Sequence, residues 1–183
     1  MLKSWLVAGL FAFGACAAIS GSQTFESVSE LSLPIADGVS GTGTISAVGS
    51  ENTQSFAEVL LEDLNDLRGE KFVDSVELAV QIQQVVLDAD TTFAGVQAIR
   101  ITLRSVAETI SLCDRTLSAG DRAASRLTCE VDHALTESTL EQMRASDQDS
   151  ELSVELDIDG EVTARRLTST LHLEVQLDAN ASL

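Results

Sequence analysis

Five side chains stand out as candidates for sulfur or imidazole chemistry: Cys16, Cys113, Cys129, His133 and His172. A zinc site needs three or four His, Cys or carboxylate ligands, often closely spaced, and neither H-E-x-x-H nor C-x-x-C occurs here. No G-x-S-x-G elbow precedes a helical pattern, so no serine is marked as a nucleophile. His172 falls on the polar phase of an alternating segment, where a solvated imidazole is the commoner role. His133 follows Asp132, a carboxylate on which it could orient. No residue is expected to be catalytic, and a hydrolase is the least favoured reading.

Carboxylates are plentiful, so calcium is the ion to weigh. The densest clusters are Asp88-Ala89-Asp90 and Asp157-Ile158-Asp159-Gly160-Glu161. Neither fits a twelve-residue EF-hand loop, which needs a third early ligand and a bidentate glutamate. In a strand Asp157 and Asp159 share the outward face, as a solvated rim would. They are the weak candidates for a calcium contact, and no other cofactor is expected.

Cys113 and Cys129 form an even pair, read as a disulfide in an exported chain. Their bridge would close a loop of about 15 residues, worth on the order of 3 kcal/mol by chain entropy. The formal charge of −18 repels phosphate backbones and argues against nucleic-acid binding. The sole Trp is Trp5 and there is no Tyr, so beyond the N-terminal apolar run only Phe25, Phe56, Phe72 and Phe93 are aromatic. Stacking platforms for bases or sugars are therefore missing.

Lys3 is followed by an uncharged apolar run from Trp5 to Ala15, the layout of a secretory signal over residues 1–15. The run is short of the about 20 apolar residues that a spanning helix needs. Ala12-Phe13-Gly14-Ala15-Cys16 resembles the lipobox of bacterial lipoproteins, with Phe13 where the family usually carries Leu. The resemblance implies acylation of Cys16, which becomes the first mature residue. It also implies an outer-membrane destination, because Ala17 rather than aspartate follows the cysteine. The alternative is ordinary cleavage near Ala17 or Ala18, which discards Cys16 and releases a soluble periplasmic or secreted binding protein. Residues 16–24 then read as a tether and 25–183 as one β-rich domain.

The elements that would position these groups come from hydrophobic period. Val28, Leu31 and Leu33 sit near a period of two until Pro34, and Gly41 to Ile45 reads as a glycine-broken edge strand. Phe56, Val59, Leu60, Leu64 and Leu67 predict an amphipathic helix over 54–68, with Asn52 or Ser55 as cap and Gly69 as stop. Val76 to Ile82 alternate, and the apolar phase slips by one at Gln83-Gln84, as a β-bulge would produce. Ile99–Leu103, Thr109–Cys113, Leu127–Val131, Val154–Ile158 and Leu171–Leu177 read as further strands. Ala119-Gly120-Asp121 and Asp159-Gly160 read as turns, Ser138-x-x-Glu141 as a capping box, and Arg165-Arg166 as partners for Glu155 or Glu161.

Short strands without a βαβ rhythm predict a mainly β protein: an antiparallel two-layer β-sandwich with one or two short helices. The alternative is an α+β sheet packed by the 54–68 helix. The signal, the Cys16 box and the β-rich C-terminal pattern together resemble bacterial envelope lipoproteins of unassigned function with an immunoglobulin-like sandwich. That resemblance implies a binding or structural module whose partners are the membrane, through a lipid anchor, and another envelope protein. Strand edges near 40–48 and 170–178 are the expected contact surfaces.

Overall fold

The computed structural model describes residues 17–32, 39–51, 53–70, 73–146 and 150–181. The signal at 1–15, Cys16, Leu33, Pro34, Asn52 and Phe72 lie outside the described residues. In chain order the elements are β1 (Ala17–Ser32), β2 (Val39–Glu51), α1 (Thr53–Gly69), β3 (Val73–Ala89), β4 (Val96–Arg104) and β5 (Thr109–Thr116). They continue as α2 (Ala119–Ala123), β6 (Arg126–Leu135), α3 (Glu137–Ala145), β7 (Ser150–Val162) and β8 (Arg166–Ala181).

The strands form two four-stranded antiparallel sheets, ordered β1-β8-β3-β6 and β2-β7-β4-β5. Their pairings nest: β4 with β5, β3 with β6, β2 with β7 and β1 with β8. A long hairpin rolled up in this way, with its outermost pair and its third pair in one sheet, is a jelly roll. The protein is thus the expected two-layer antiparallel sandwich. Its strand order departs from the immunoglobulin-like one, which groups ABED against CFG. The difference lies in pairs such as Ala17 with Ala181, which local periodicity does not encode.

Each strand buries one face. Leu152, Val154, Leu156 and Ile158 of β7 point inward and meet Ile99, Ile101 and Leu103 of β4 and Val80, Ile82, Val85 and Leu87 of β3 in one core. Each such side chain contributes about 1.5–3 kcal/mol when fully buried. The expected bulge is present. Ile82 pairs with Leu173 and Gln84 with His172, so Gln83 is the extra residue and both halves of β3 keep their apolar face inward.

Helix α1 packs on α3 and on β3. Its buried stripe is Ala57, Leu60, Leu61, Leu64 and Leu67, whereas Val59 is 44% exposed. The spacing i, i+3, i+4, i+7 starts from Ala57, and a residue two positions on lies nearly opposite that stripe. Ser55 is within the helix. Arg68 holds the two helices together through a fork to Glu137, at 2.7 and 3.0 Å. It also lowers the Glu137 carboxyl from its ordinary value.

Three local expectations are corrected. Asp159-Gly160 is not a turn: β7 continues through it to Val162, with Gly160 opposite Gly41. Gly160 is there because its φ is +124°, a backbone conformation that side-chain-bearing residues rarely adopt. The chain turns instead at 163–165, where the Arg165 amide donates to Asp90 Oδ1. Helix α3 is capped by Thr136, whose Oγ1 accepts from the Thr139 amide, and not by Ser138. Ala119-Gly120-Asp121 forms a single helical turn closed by a reciprocal Ser118–Asp121 capping box.

Candidate functional site

Where helices replace one sheet as the partner of the other, side chains must fill an irregular seam. A cavity of about 200 Å³ lies there. Its walls come from seven elements: Phe25 on β1, Phe56 on α1, Ile82 on β3, Leu103 on β4, Leu135 on β6, Met143 on α3, and Leu171 and Leu173 on β8. Ile82, Leu103, Leu135, Met143, Leu171 and Leu173 are buried and form the floor. Phe25 and Phe56 are half-buried and meet edge to face at the rim, with ring centroids 6.2 Å apart and planes at 72°. Glu26 and Ser27 are the polar residues beside them. The bulge at Gln83 sits next to Ile82, so the strand bends at the cavity wall.

Protein cores hold few voids larger than a water molecule. This one opens partly to solvent between Phe25 and Phe56, so it is a pocket in the seam rather than a sealed void. No spacing in the sequence announced it.

The residues singled out in the sequence are scattered. Cys113 on β5 and Cys129 on β6 form a disulfide, with Cα atoms 5.7 Å apart. β5 and β6 are edge strands of different sheets, so the bridge staples the sandwich along one side. The Arg115 guanidinium crosses the same seam to the Thr128 carbonyl, at 3.2 Å.

His133 Nε2 is 3.1 Å from Glu108 Oε2 rather than on Asp132, but the contact is not aligned as a hydrogen bond. His172 is half-buried and not fully solvated, with Nδ1 3.3 Å from Glu26 Oε1. The two imidazoles thus serve different carboxylates.

Asp157 and Asp159 lie on the exposed face of β7, as their alternation implied. Asp157 accepts from Thr44 Oγ1 and Asp159 from Gln97 Nε2, each at 2.8 Å. Asp88 is engaged by both nitrogens of an Arg126 fork. Among the described residues no three His, Cys, Asp or Glu side chains converge as metal ligands would. Glu155 pairs with Arg100, which also reaches Asp114, and both acids are its direct cross-strand neighbours. That ladder gives Glu155 a partner on β4.

Of the two expected strand edges, 40–48 is one: β2 flanks its sheet. The segment 170–178 is not, because β8 is paired with β1 on one side and β3 on the other. Residues 17–24, expected as a tether, instead run as the first half of β1 in register with β8. Among the described residues no helix is long and apolar enough to cross a membrane.

No protein-family model matches the chain, and no curated protein matches it. Among solved structures, it is similar to the infectious bursal disease virus Gx strain structure, at 11% identity and TM-score 0.33, over 92% of this chain and 37% of that one. A second is Desmodium yellow mottle tymovirus, at 13% identity and TM-score 0.28, over 91% and 90%. A third is murine APRIL, at 11% identity and TM-score 0.27, over 80% and 98%. The chain thus spans little over a third of the bursal disease virus chain. At these TM-scores none of the likenesses supports a statement about fold or function; the jelly roll rests on the chain's own pairings.

Proposed function

We propose that the protein is exported, anchored to the bacterial envelope through acylated Cys16, and acts there as a binding or structural module rather than as an enzyme. The observation that carries this reading is the Cys113–Cys129 bridge, because structural disulfides persist in oxidising compartments. It agrees with the signal layout of residues 1–15. The start of β1 favours acylation over ordinary cleavage. Processing at Cys16 keeps every pair of β1, whereas cleavage after Ala18 removes Ala17 with Ala181 and Ala18 with Asn180. Acyl chains contribute about 0.8 kcal/mol per buried CH₂, so more than one chain gives a stable anchor.

Intact-mass spectrometry of the envelope fraction tests the proposal, together with incorporation of a palmitate analogue. The expected result is a lipid-modified N-terminus at Cys16 that a Cys16→Ala variant loses. A mature N-terminus at Ala18 or Ile19 without lipid would favour the soluble periplasmic or secreted alternative.

A further inference from the structure

We propose that the cavity at the seam of sheets and helices is a binding site for a small uncharged apolar molecule, either a short alkyl or acyl chain or a single ring. The proposal rests on the binding-module reading above and names its ligand class.

Size is the first argument. A dry cavity of about 150 Å³ lined by Leu, Ile and Phe binds benzene, and the present one is about 200 Å³. A ring or a chain of about six carbons therefore fits by the same comparison. The second argument is chemical. The floor is aliphatic throughout, with Met143 as its one flexible, polarisable member, able to adjust to different occupants.

Access is the third. The rim residues Phe25 and Phe56 are half-buried, and they belong to an edge strand and a helix rather than to the middle of a sheet. The pocket is already partly open between them, so a small ligand can enter without breaking a ladder hydrogen bond. Charge is the fourth. Glu26 stands at the rim and the chain carries −18, so a carboxylate headgroup meets repulsion where it would have to rest. An uncharged molecule meets none.

The chain contains two methionines, Met1 and Met143, so ¹³C-methyl-methionine labelling gives the cavity its own NMR signal. Full-length protein is titrated with toluene, hexan-1-ol and sodium hexanoate, and Met143→Leu assigns the peaks. We expect the Met143 signal to move saturably with toluene or hexan-1-ol, and hexanoate to bind at least tenfold more weakly. Leu173→Phe, which fills the cavity, should abolish the shift.

A Met143 signal indifferent to both neutral probes in the wild-type protein overturns the proposal, whether or not the filled variant folds. Hexanoate binding as tightly as hexan-1-ol overturns the preference for uncharged ligands. These readouts do not depend on Cys16, so failure of the anchor and failure of the cavity are told apart.

Discussion

Replacing Cys113 and Cys129 together by alanine should lower stability by about 3 kcal/mol. The two residues are 16 apart. In the chain-entropy relation a loop of that length restricts the unfolded chain by roughly 10 cal/mol/K, or about 3 kcal/mol at 25 °C. For a domain of this size each kcal/mol moves the midpoint by about 2–4 °C, so a fall of about 6–12 °C is expected. The location sharpens the prediction. The bridge ties the last strand of one sheet to the last strand of the other, so amide exchange in β5 and β6 should accelerate before that in β8 or β7, the paired interior strands. Thermal unfolding of oxidised wild type, reduced wild type and the double variant is the assay, with hydrogen exchange mapped by strand. Midpoints within 2 °C of one another would refute the loop-entropy reasoning. Uniform acceleration across both sheets would refute the edge-staple reasoning.

Two further outcomes follow from local geometry. The Ser118 hydroxyl and amide both donate to Asp121, and Arg115 reaches it at 2.5 Å; together they lower the Asp121 pKa from 3.8 to about 2. A depressed folded pKa contributes stability that is present above the unfolded value and lost as pH falls through the folded one, here from near 4 down through about 2. Ser118→Ala should therefore move the Asp121 carboxyl titration upward toward 3.8 by NMR, and an unchanged midpoint would contradict the assignment. Gly95 has φ +79°, and a Cβ there would lie 2.4 Å from the Glu161 carbonyl oxygen. Gly95→Ala should cost at least about 1–3 kcal/mol by denaturant unfolding, and a change below 0.5 kcal/mol would show that the backbone yields.

The strands were legible because each sheet buries only one face, and a half-buried strand writes its period directly into the sequence. This is why Leu171 to Leu177, Val154 to Ile158 and even the slip at Gln83 could be read. The pairing was not legible. A jelly roll joins the first strand to the last, and nothing in Ala17 to Ser32 specifies Arg166 to Ala181 as its partner. Asp159-Gly160 misled for a related reason: its glycine supplies a positive φ inside a continuing strand, opposite Gly41, where a local reading sees only a turn. Ser138 misled because Thr136, two residues earlier, offers an equivalent hydroxyl at the actual helix start. The cavity escaped altogether, since its walls come from seven elements and each residue looks like ordinary core in its own segment.

The start of β1 gives the anchored reading a geometric consequence. Ala17, Ala181 and Val73 lie side by side in the register of β1, β8 and β3. That end of the sandwich is where α1 leads into β3. If Cys16 carries the lipid, it is followed at once by the first paired residue, so the helical end faces the bilayer without slack. Phe25, eight residues along the strand from Ala17, then stands about 26 Å from the start of β1 at 3.3 Å per residue. The 163–165 turn, beside the far end of β1 at Ser32, would point away from the membrane. The acidic surface fits this arrangement, because a negatively charged domain held close to anionic lipid is pushed upright rather than drawn down onto it.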